Sequence, residues 1–332
     1  MTVTLSLAAW LPGCKNPSPE PVQLAGRTMG TTYQVLYFDK DNRNFQAPVD
    51  SLLRLVNRSI STYDPGSQVS RFNRGGGIAL SSPFFLTPLK RGLEVSALSG
   101  GAFDLTVMPL VNAWGFGPGR MLDMDSATVD SLRSLIGFDK IRITRDSIVK
   151  TDRRVQLDFG GIGQGYGADV IAGYLRARGI TNLLVELGGE GIAQGKNLKT
   201  GKPWTIGILD PNSTRDEPYF KAYVALTDQS YTTAGNYFNY RVVNGKKYSH
   251  TIDPVTGYPA AQAILSASVF ADDCTTADAW DTAFMVMGLE RSIAYLKDHP
   301  GLDAILMYAG EGDRIELFIT EGIRSRVTIE SE

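Results

Sequence analysis

The chain has 332 residues, with 33 Lys and Arg against 35 Asp and Glu, a formal net charge of -2, and 43% hydrophobic residues. These proportions belong to an ordinary folded protein and exclude a disordered or fibrous one. The basic residues are scattered, with no basic tract interleaved with aromatics, so nucleic acid is excluded as a partner, and any bound phosphate is expected to be held locally, by backbone and metal.

At the N-terminus, "TVTLSLAAWLPGC" is an apolar run ending at Cys14, followed by the polar "KNPSPEP". The run is too short to span a bilayer and has the look of a secretory apolar region. Leu11, Pro12, Gly13 and Cys14 resemble a bacterial lipobox, in which the Cys is acylated. Cys14 and Cys274 are the only cysteines, too few for a disulfide framework. Residues 15–25 read as a flexible Pro-rich tether, so residues 1–25 are expected to be a signal or lipobox remnant with its tether. Residues 26–332 are then one domain, or two subdomains built from discontinuous segments.

"TTYQVLYF" alternates like a strand. Val49, Leu52, Leu53, Val56 and Ile60 stand at helical spacing, which predicts an amphipathic helix over 48–60. A second helix is predicted over 84–99, and "SATVDSLRSLIG" is a third, with a serine cap and a terminal glycine. From residue 140 the pattern turns to strands: "KIRIT", "VQLDFGG", "NLLVELGG", "WTIGIL" and "AYVALT". "YRVVNGKKYSH" reads as a hairpin about an Asn-Gly turn, and "ILSASVFA", "AILMYAG" and "RIELFIT" as further strands. One helix, 164–178, interrupts this strand-rich half, and another runs from near Thr275 through Met287. Strands outnumber helices without alternating with them, which predicts an α+β fold with a strand-rich C-terminal half, not a doubly wound sheet.

Four stretches carry chemistry. In "LDFGGIGQGYGADV", Asp158 precedes Gly160, Gly161, Gly163, Gly165 and Gly167 and then a helix; glycines admit close backbone approach, and a helix N-terminus presents N–H groups to an anion. A dinucleotide fingerprint is the rival, set aside because no βαβ alternation follows; a structural tight turn is the plain alternative. In "CTTADAWDTAF", Asp278, Asp281 and Thr282 share one helix face and suit a hard cation, unless the acids merely answer the helix dipole. In "GGAFDLTVMPLVNAWGFG", Ala102, Phe103 and Asp104 precede an apolar run broken by Pro109; if Asp104 is buried, its carboxylate needs hydrogen-bond partners. In "STYDPGSQVSRFN", Tyr63 offers an exposed ring or closes a helix against the core. The chain has only two histidines. His250, in "YSHTIDPVTGYP", is either a chemical centre or a loop residue, whereas His299 is expected at a helix end.

Taken in order with "GRTMGTTY" and "ELGGE", these stretches resemble the ApbE family of FAD:protein FMN transferases from about residue 26 to beyond 288. The resemblance implies an α+β fold with a T-fold-like core and Mg²⁺-dependent transfer of the FMN moiety of FAD to a threonine hydroxyl of an acceptor protein, a flavinylated electron-transfer subunit. By the same resemblance Met29, Tyr63, Ala102, Phe103, Asp104, Asp158 and Ile252 match FAD-contacting positions, with Tyr63 lying against the isoalloxazine ring. Gln164, also a candidate FAD contact, stands where the family pattern has Lys, and Gly163 stands where it has Ala. Asp278, Asp281 and Thr282 match the metal site, joined by the carbonyl of Gly163. His250 matches the catalytic histidine and is expected to accept the hydroxyl proton, as an imidazole of pKa near ~6.5 can. Ala234 and Asn236 depart from the pattern and are assigned no role. The family is usually periplasmic or lipid-anchored, so the membrane is expected only through Cys14. An FAD pyrophosphatase and a non-catalytic FAD-binding lipoprotein are the alternatives.

Overall fold

The computed structural model describes residues 19–330 except 81, 215, 236–239, 244–245 and 261–262. Cys14 with its lipobox-like run, Asn236 and the Asn244-Gly245 turn lie outside the described residues. The described chain opens with a hairpin: β1 (Val22–Thr28) pairs antiparallel with β2 (Thr31–Tyr37), Thr28 opposite Thr31. The two intervening residues, Met29 and Gly30, have φ of 50° and 77°, the left-handed pair that a two-residue type I′ turn requires. β1 corrects the tether expectation. Residues 22–25 are paired, and Leu24 is buried, because alternation in "VQLAGRT" matches the β2 strand beside it.

α1 (Gln46–Ile60) buries Val49, Leu53, Val56 and Ile60, the stripe its spacing predicts. The unanticipated α2 (Gln68–Arg74) is capped by Ser67, whose hydroxyl accepts the Ser70 N–H. After β3 (Gly77–Ala79), α3 (Pro83–Leu98) falls where expected. Pro109 does not break its run: it lies in the first turn of α4 (Met108–Ala113), where a missing N–H costs nothing. α5 (Ser126–Arg133) is capped by Asp125, whose carboxylate accepts the Thr128 N–H at 2.7 Å, and not by the predicted serine. β4 (Ile141–Ile143) and β5 (Ser147–Lys150) join β3 in a three-stranded sheet.

"VQLDFGG" is not a strand. Its backbone is claimed by side-chain and single bonds instead: Leu157 exchanges two bonds with the Asn73 side chain, at 2.8 and 2.9 Å, and the Asp158 N–H donates to the Leu105 carbonyl at 2.7 Å. α6 (Gly163–Arg176) follows directly.

The strand-rich half contains β6 (Leu183–Leu187), β7 (Glu190–Gln194), β8 (Trp204–Leu209), β9 (Phe220–Leu226), β10 (Gln229–Gly235), β11 (Tyr240–Val243), β12 (Lys246–Ser249) and β13 (Ile264–Ala271). Then come α7 (Cys274–Met287), α8 (Leu289–Asp298), β14 (Asp303–Ala309), β15 (Ile315–Ile319), α9 (Glu321–Arg324) and β16 (Val327–Ile329). Eight strands form one sheet in the order β1-β2-β6-β7-β10-β13-β14-β15, each neighbour antiparallel. This is the expected α+β arrangement, and among the described residues its named strands form no parallel ladder of the kind a dinucleotide fold requires.

Both faces of that sheet are covered. Val269, Ala304 and Leu306 join the core beneath α7, whereas Phe270, Ile305 and Met307 alternate to the other face and meet Trp204, Ile206 and Val224 of the small sheet β16-β9-β8. Double burial explains why "AILMYAG" reads as an unbroken apolar run. α7 packs on β10 and β13, and α6 lies between α7 and α1. Among the described residues no helix is long and apolar enough to cross a membrane.

Candidate active site

α6 and α7 touch where α6 has no side chain. A Cβ on Gly165 would stand 2.3 Å from the Cys274 carbonyl oxygen and 2.7 Å from Asp278 Cβ. That closeness lets the Gly165 N–H donate to Asp278 Oδ2 at 2.8 Å. Four residues earlier, Gly161 lies against Thr282: a Cβ there would be 2.7 Å from Thr282 Oγ1 and 3.3 Å from the Phe103 ring. The glycine turn and the aspartate helix therefore converge along two successive contacts. Asp169 of α6 fixes the junction by accepting the Cys274 and Thr275 N–H groups at 3.0 and 2.8 Å, and the Thr275 hydroxyl, at the N-terminus of α7. Sequence reading missed Asp169, although its place in the same glycine-rich stretch was the available signal.

A cleft of about 480 Å³ opens beside this junction. Its wall includes five of the candidate residues, Tyr63, Asp158, His250, Ile252 and Thr282, together with Gly160 and Gly161. The Asp158 carboxylate accepts the Gly160 N–H at 3.1 Å, and burial raises its pKa. Tyr63 is 70% exposed, and its hydroxyl donates to the Phe116 carbonyl at 3.2 Å. The rest of the apolar wall comes from Val107, Met108, Val111 and Phe116 in and around α4. Those four were not singled out in sequence, where they read as ordinary core.

The other candidates are not among the residues that line the cleft. Ala102 and Phe103 are buried, with Phe103 backing Gly161. Asp104 is buried and its carboxylate is fully engaged: Oδ1 accepts the N–H and hydroxyl of Thr106 at 2.8 and 2.7 Å, and Oδ2 the Phe138 N–H at 2.9 Å. These bonds supply the partners its burial demands, and burial is still the larger effect, raising its pKa. Met29, on the β1–β2 turn, reaches toward Gly167. Gln164 reaches over the β6–β7 turn, where a Cβ on Gly188 would be 2.2 Å from its Nε2; Gly188 and Gly189 take φ of 77° and 117° there. Gly163 is the first residue of α6 and packs on Ile60.

Asp278 and Asp281 are buried, and among the described residues neither has an ion-pair partner. Burial pushes the Asp278 carboxyl up to about 7 despite the Gly165 bond. Burial and then the charge of Asp278 raise Asp281 and Glu190, the first residue of β7. Among the described residues no three of His, Cys, Asp and Glu are grouped to hold a metal ion. The available donors are thus two carboxylates, the Thr282 hydroxyl and backbone carbonyls. This all-oxygen set fits a hard divalent cation. His299 is elsewhere, at the end of α8, stacked on Tyr295 at 3.7 Å between ring centroids.

The ApbE family model matches residues 29–306. A Vibrio cholerae serotype O1 protein named FAD:protein FMN transferase is 38% identical over 88% of this chain and 89% of its own length. A Haemophilus influenzae protein of the same name is 33% identical over 88% of this chain and 87% of its own length. Among solved structures, the flavin transferase ApbE from Vibrio cholerae superposes with a TM-score of 0.83 at 33% identity, covering 93% of this chain and 99% of that one. The apo form of the Pseudomonas stutzeri flavinyl transferase ApbE gives a TM-score of 0.82 at 32% identity, over 93% and 97% of the two chains. A match of this extent, with the cleft set at the meeting of the glycine turn and the aspartate helix, makes the chain a member of the ApbE family.

Proposed function

We propose that the protein is an FAD:protein FMN transferase that moves the FMN moiety of FAD onto a threonine hydroxyl of an acceptor protein and releases AMP. The observation that supports this reading is that His250, Gly160, Gly161 and Thr282 line one cleft; the names of the relatives support it too. The hydroxyl oxygen forms a bond to the phosphorus on the riboflavin side. The bond from that phosphorus to the oxygen bridging to AMP breaks, and the hydroxyl proton passes to the His250 imidazole. Gly160 and Gly161 let a diphosphate approach the backbone closely. Tyr63 offers an aromatic face, and Met108 and Val111 an apolar wall, for the flavin ring system.

Asp278, Asp281, Thr282 and the Gly163 carbonyl would hold Mg²⁺, which when bound offsets charge on the diphosphate oxygens. The all-oxygen donor set supports this ion. The lipobox-like run supports a periplasmic location with a lipid anchor at Cys14.

Co-expression with a candidate acceptor, followed by incubation of the purified pair with FAD and Mg²⁺, tests the reading by mass spectrometry. Flavin phosphate bound covalently to the acceptor supports transfer. Free FMN with AMP assigns the site to a pyrophosphatase instead, and unchanged FAD to a binding protein.

A further inference from the structure

The chain enters its large sheet at the end away from the glycine turn. Val22 opens β1 opposite Tyr37, the last residue of β2; Tyr37 pairs with Leu183, the first of β6, and Leu183 with Gln194, the last of β7. At the other end stand the Met29-Gly30 and Gly188-Gly189 turns and Gly235, where the excursion that carries His250 leaves β10. α6 spans the interval between them. Gln164, near its start, reaches Gly188, whereas the carbonyl of Arg178, just past its end, accepts a bond from Arg43 Nη2 at 3.2 Å. Its 14 residues separate the two ends by ~20 Å.

The entry end is basic. The loop between β7 and β8 carries Lys196, Lys199 and Lys202, all exposed. Backbone bonds close this loop: the Asn197 N–H donates to the Lys202 carbonyl at 2.9 Å and the Gly201 N–H to the Asn197 carbonyl at 2.8 Å. The Lys196 N–H donates to Asn182 Oδ1 at 2.9 Å, which fixes the loop to the start of β6. Arg178 is exposed at the same end. The acids there are largely matched. Asp39 pairs with Arg43 and Glu20 with Lys199, each at 2.8 Å, and Asp41 is next in sequence to Lys40. Of these acids Asp228 remains, its Oδ1 accepting the Gly195 N–H at 2.9 Å. Lys196, Lys202 and Arg178 outweigh it, so this end is positive in a chain whose net charge is -2.

We propose that this end of the sheet rests on a lipid surface bearing anionic headgroups, with the glycine turn and the cleft held on the side away from the bilayer. The inference rests on the lipid anchor at Cys14 read above and deepens it by naming the face that meets the membrane. Chain length decides the occupant. Glu20, held at Lys199, comes six residues after Cys14, and six residues at full extension reach at most ~20 Å. An acyl chain on Cys14 therefore keeps the lysine loop near the bilayer, however the rest of the protein turns. Lys15 adds a cation at the anchor itself. A basic patch is what complements an acyl chain at a charged membrane. Each lysine within about a Debye length of an anionic surface contributes roughly fivefold to binding.

Vesicles of phosphatidylcholine alone, and of phosphatidylcholine with phosphatidylglycerol in equal parts, test this. The full chain carrying Cys14→Ser, which removes the acylation site, is expected to pellet with the anionic vesicles at an affinity at least ~10-fold above that for the neutral ones. Lys196→Gln, Lys199→Gln and Lys202→Gln together should erase that ratio while melting temperature and FAD turnover stay at wild-type values. In the acylated full chain, where Cys274 is buried, fluorophores are placed on Thr200→Cys and on Val255→Cys, three residues past the wall residue Ile252. On anionic vesicles the probe at 200 should transfer energy to headgroup-labelled lipid several times more efficiently than the probe at 255. Equal binding to the two vesicles, a ratio that survives the triple substitution, or transfer from 255 as strong as from 200 overturns the proposal. Mass spectrometry of the membrane-extracted chain judges the anchor separately: an unacylated Cys14 removes that reading, and the vesicle ratio then decides the lipid surface by itself.

Discussion

Gly165→Ala is the substitution that most directly tests the contact between the two helices. Its new Cβ would lie 2.3 Å from the Cys274 carbonyl oxygen, and ordinary contact begins near 3.4 Å, so α6 and α7 must separate by roughly an ångström. Overpacking of this kind costs about 1–3 kcal/mol. Stretching the Gly165–Asp278 bond, whose acceptor is a buried carboxylate, costs about 1.5–3 kcal/mol more. Alanine returns about 1 kcal/mol in helix propensity. A net loss of about 1.5–5 kcal/mol follows, seen in a chain of this length as a fall of ~2–7 °C in Tm. Moving Asp278 by that distance should lower FAD turnover on the order of 100-fold. Gly173→Ala is the control: it lies in the same helix with nothing within 4 Å of its Cβ, and should stabilise by roughly 0.4–1 kcal/mol. Scanning calorimetry and FAD turnover on the purified variants give both readouts. If Gly165→Ala melts with or above Gly173→Ala and keeps wild-type turnover, the helices do not meet as described.

Three further outcomes are expected. His250→Ala should reduce transfer by ~10²–10⁴-fold while isothermal titration finds FAD affinity near wild type; unchanged turnover removes the imidazole from the reaction. Asp278→Ala should lower Mg²⁺-dependent turnover by at least ~100-fold, and a variant as active in chelator as in Mg²⁺ refutes the donor set. Burial lowers the Lys150 pKa from 10.5 to about 8, with its ammonium donating to the Val155 carbonyl at 2.6 Å. Between those two values the unfolded chain holds a proton that the folded one has released, so this group makes stability rise with pH there. Denaturant melts of wild type and Lys150→Met across that window should differ in slope, the variant lacking the rise; identical slopes refute the assignment.

Local signals in the chain were enough for the elements that carry their own periodicity. α1 buries the stripe its spacing announces, α6 and α7 are helices where they were read, and β13, β14 and β15 are strands as read. What failed was fixed by partners distant in sequence. Residues 155–161 look like a strand, but Asn73, 84 residues from Leu157, claims their backbone. β1 was hidden by the prolines before it, and Asp125 outcompeted the adjacent serine because its carboxylate reaches the Thr128 N–H. In the cleft, Asp158, His250 and Thr282 stood in stretches that allowed a chemical reading beside a structural one, and the ordered resemblance tipped the balance; Ile252 was legible only through that resemblance. Met108 and Val111 were not, since an apolar residue facing a cleft and one facing a core look alike until α4 is placed.

The strands of the large sheet are laid down in the order in which the chain is written, each beside the one before it. All of the cleft's walls except Thr282 come from two detours off this meander, between β2 and β6 and between β10 and β13. A detour can lengthen, shorten or change its side chains without shifting the register of any ladder, because its two ends leave and rejoin neighbouring strands. The 236–263 excursion, which brings His250 and Ile252 to the cleft, can therefore be rewritten alone, with α7 and the meander kept as a fixed chassis.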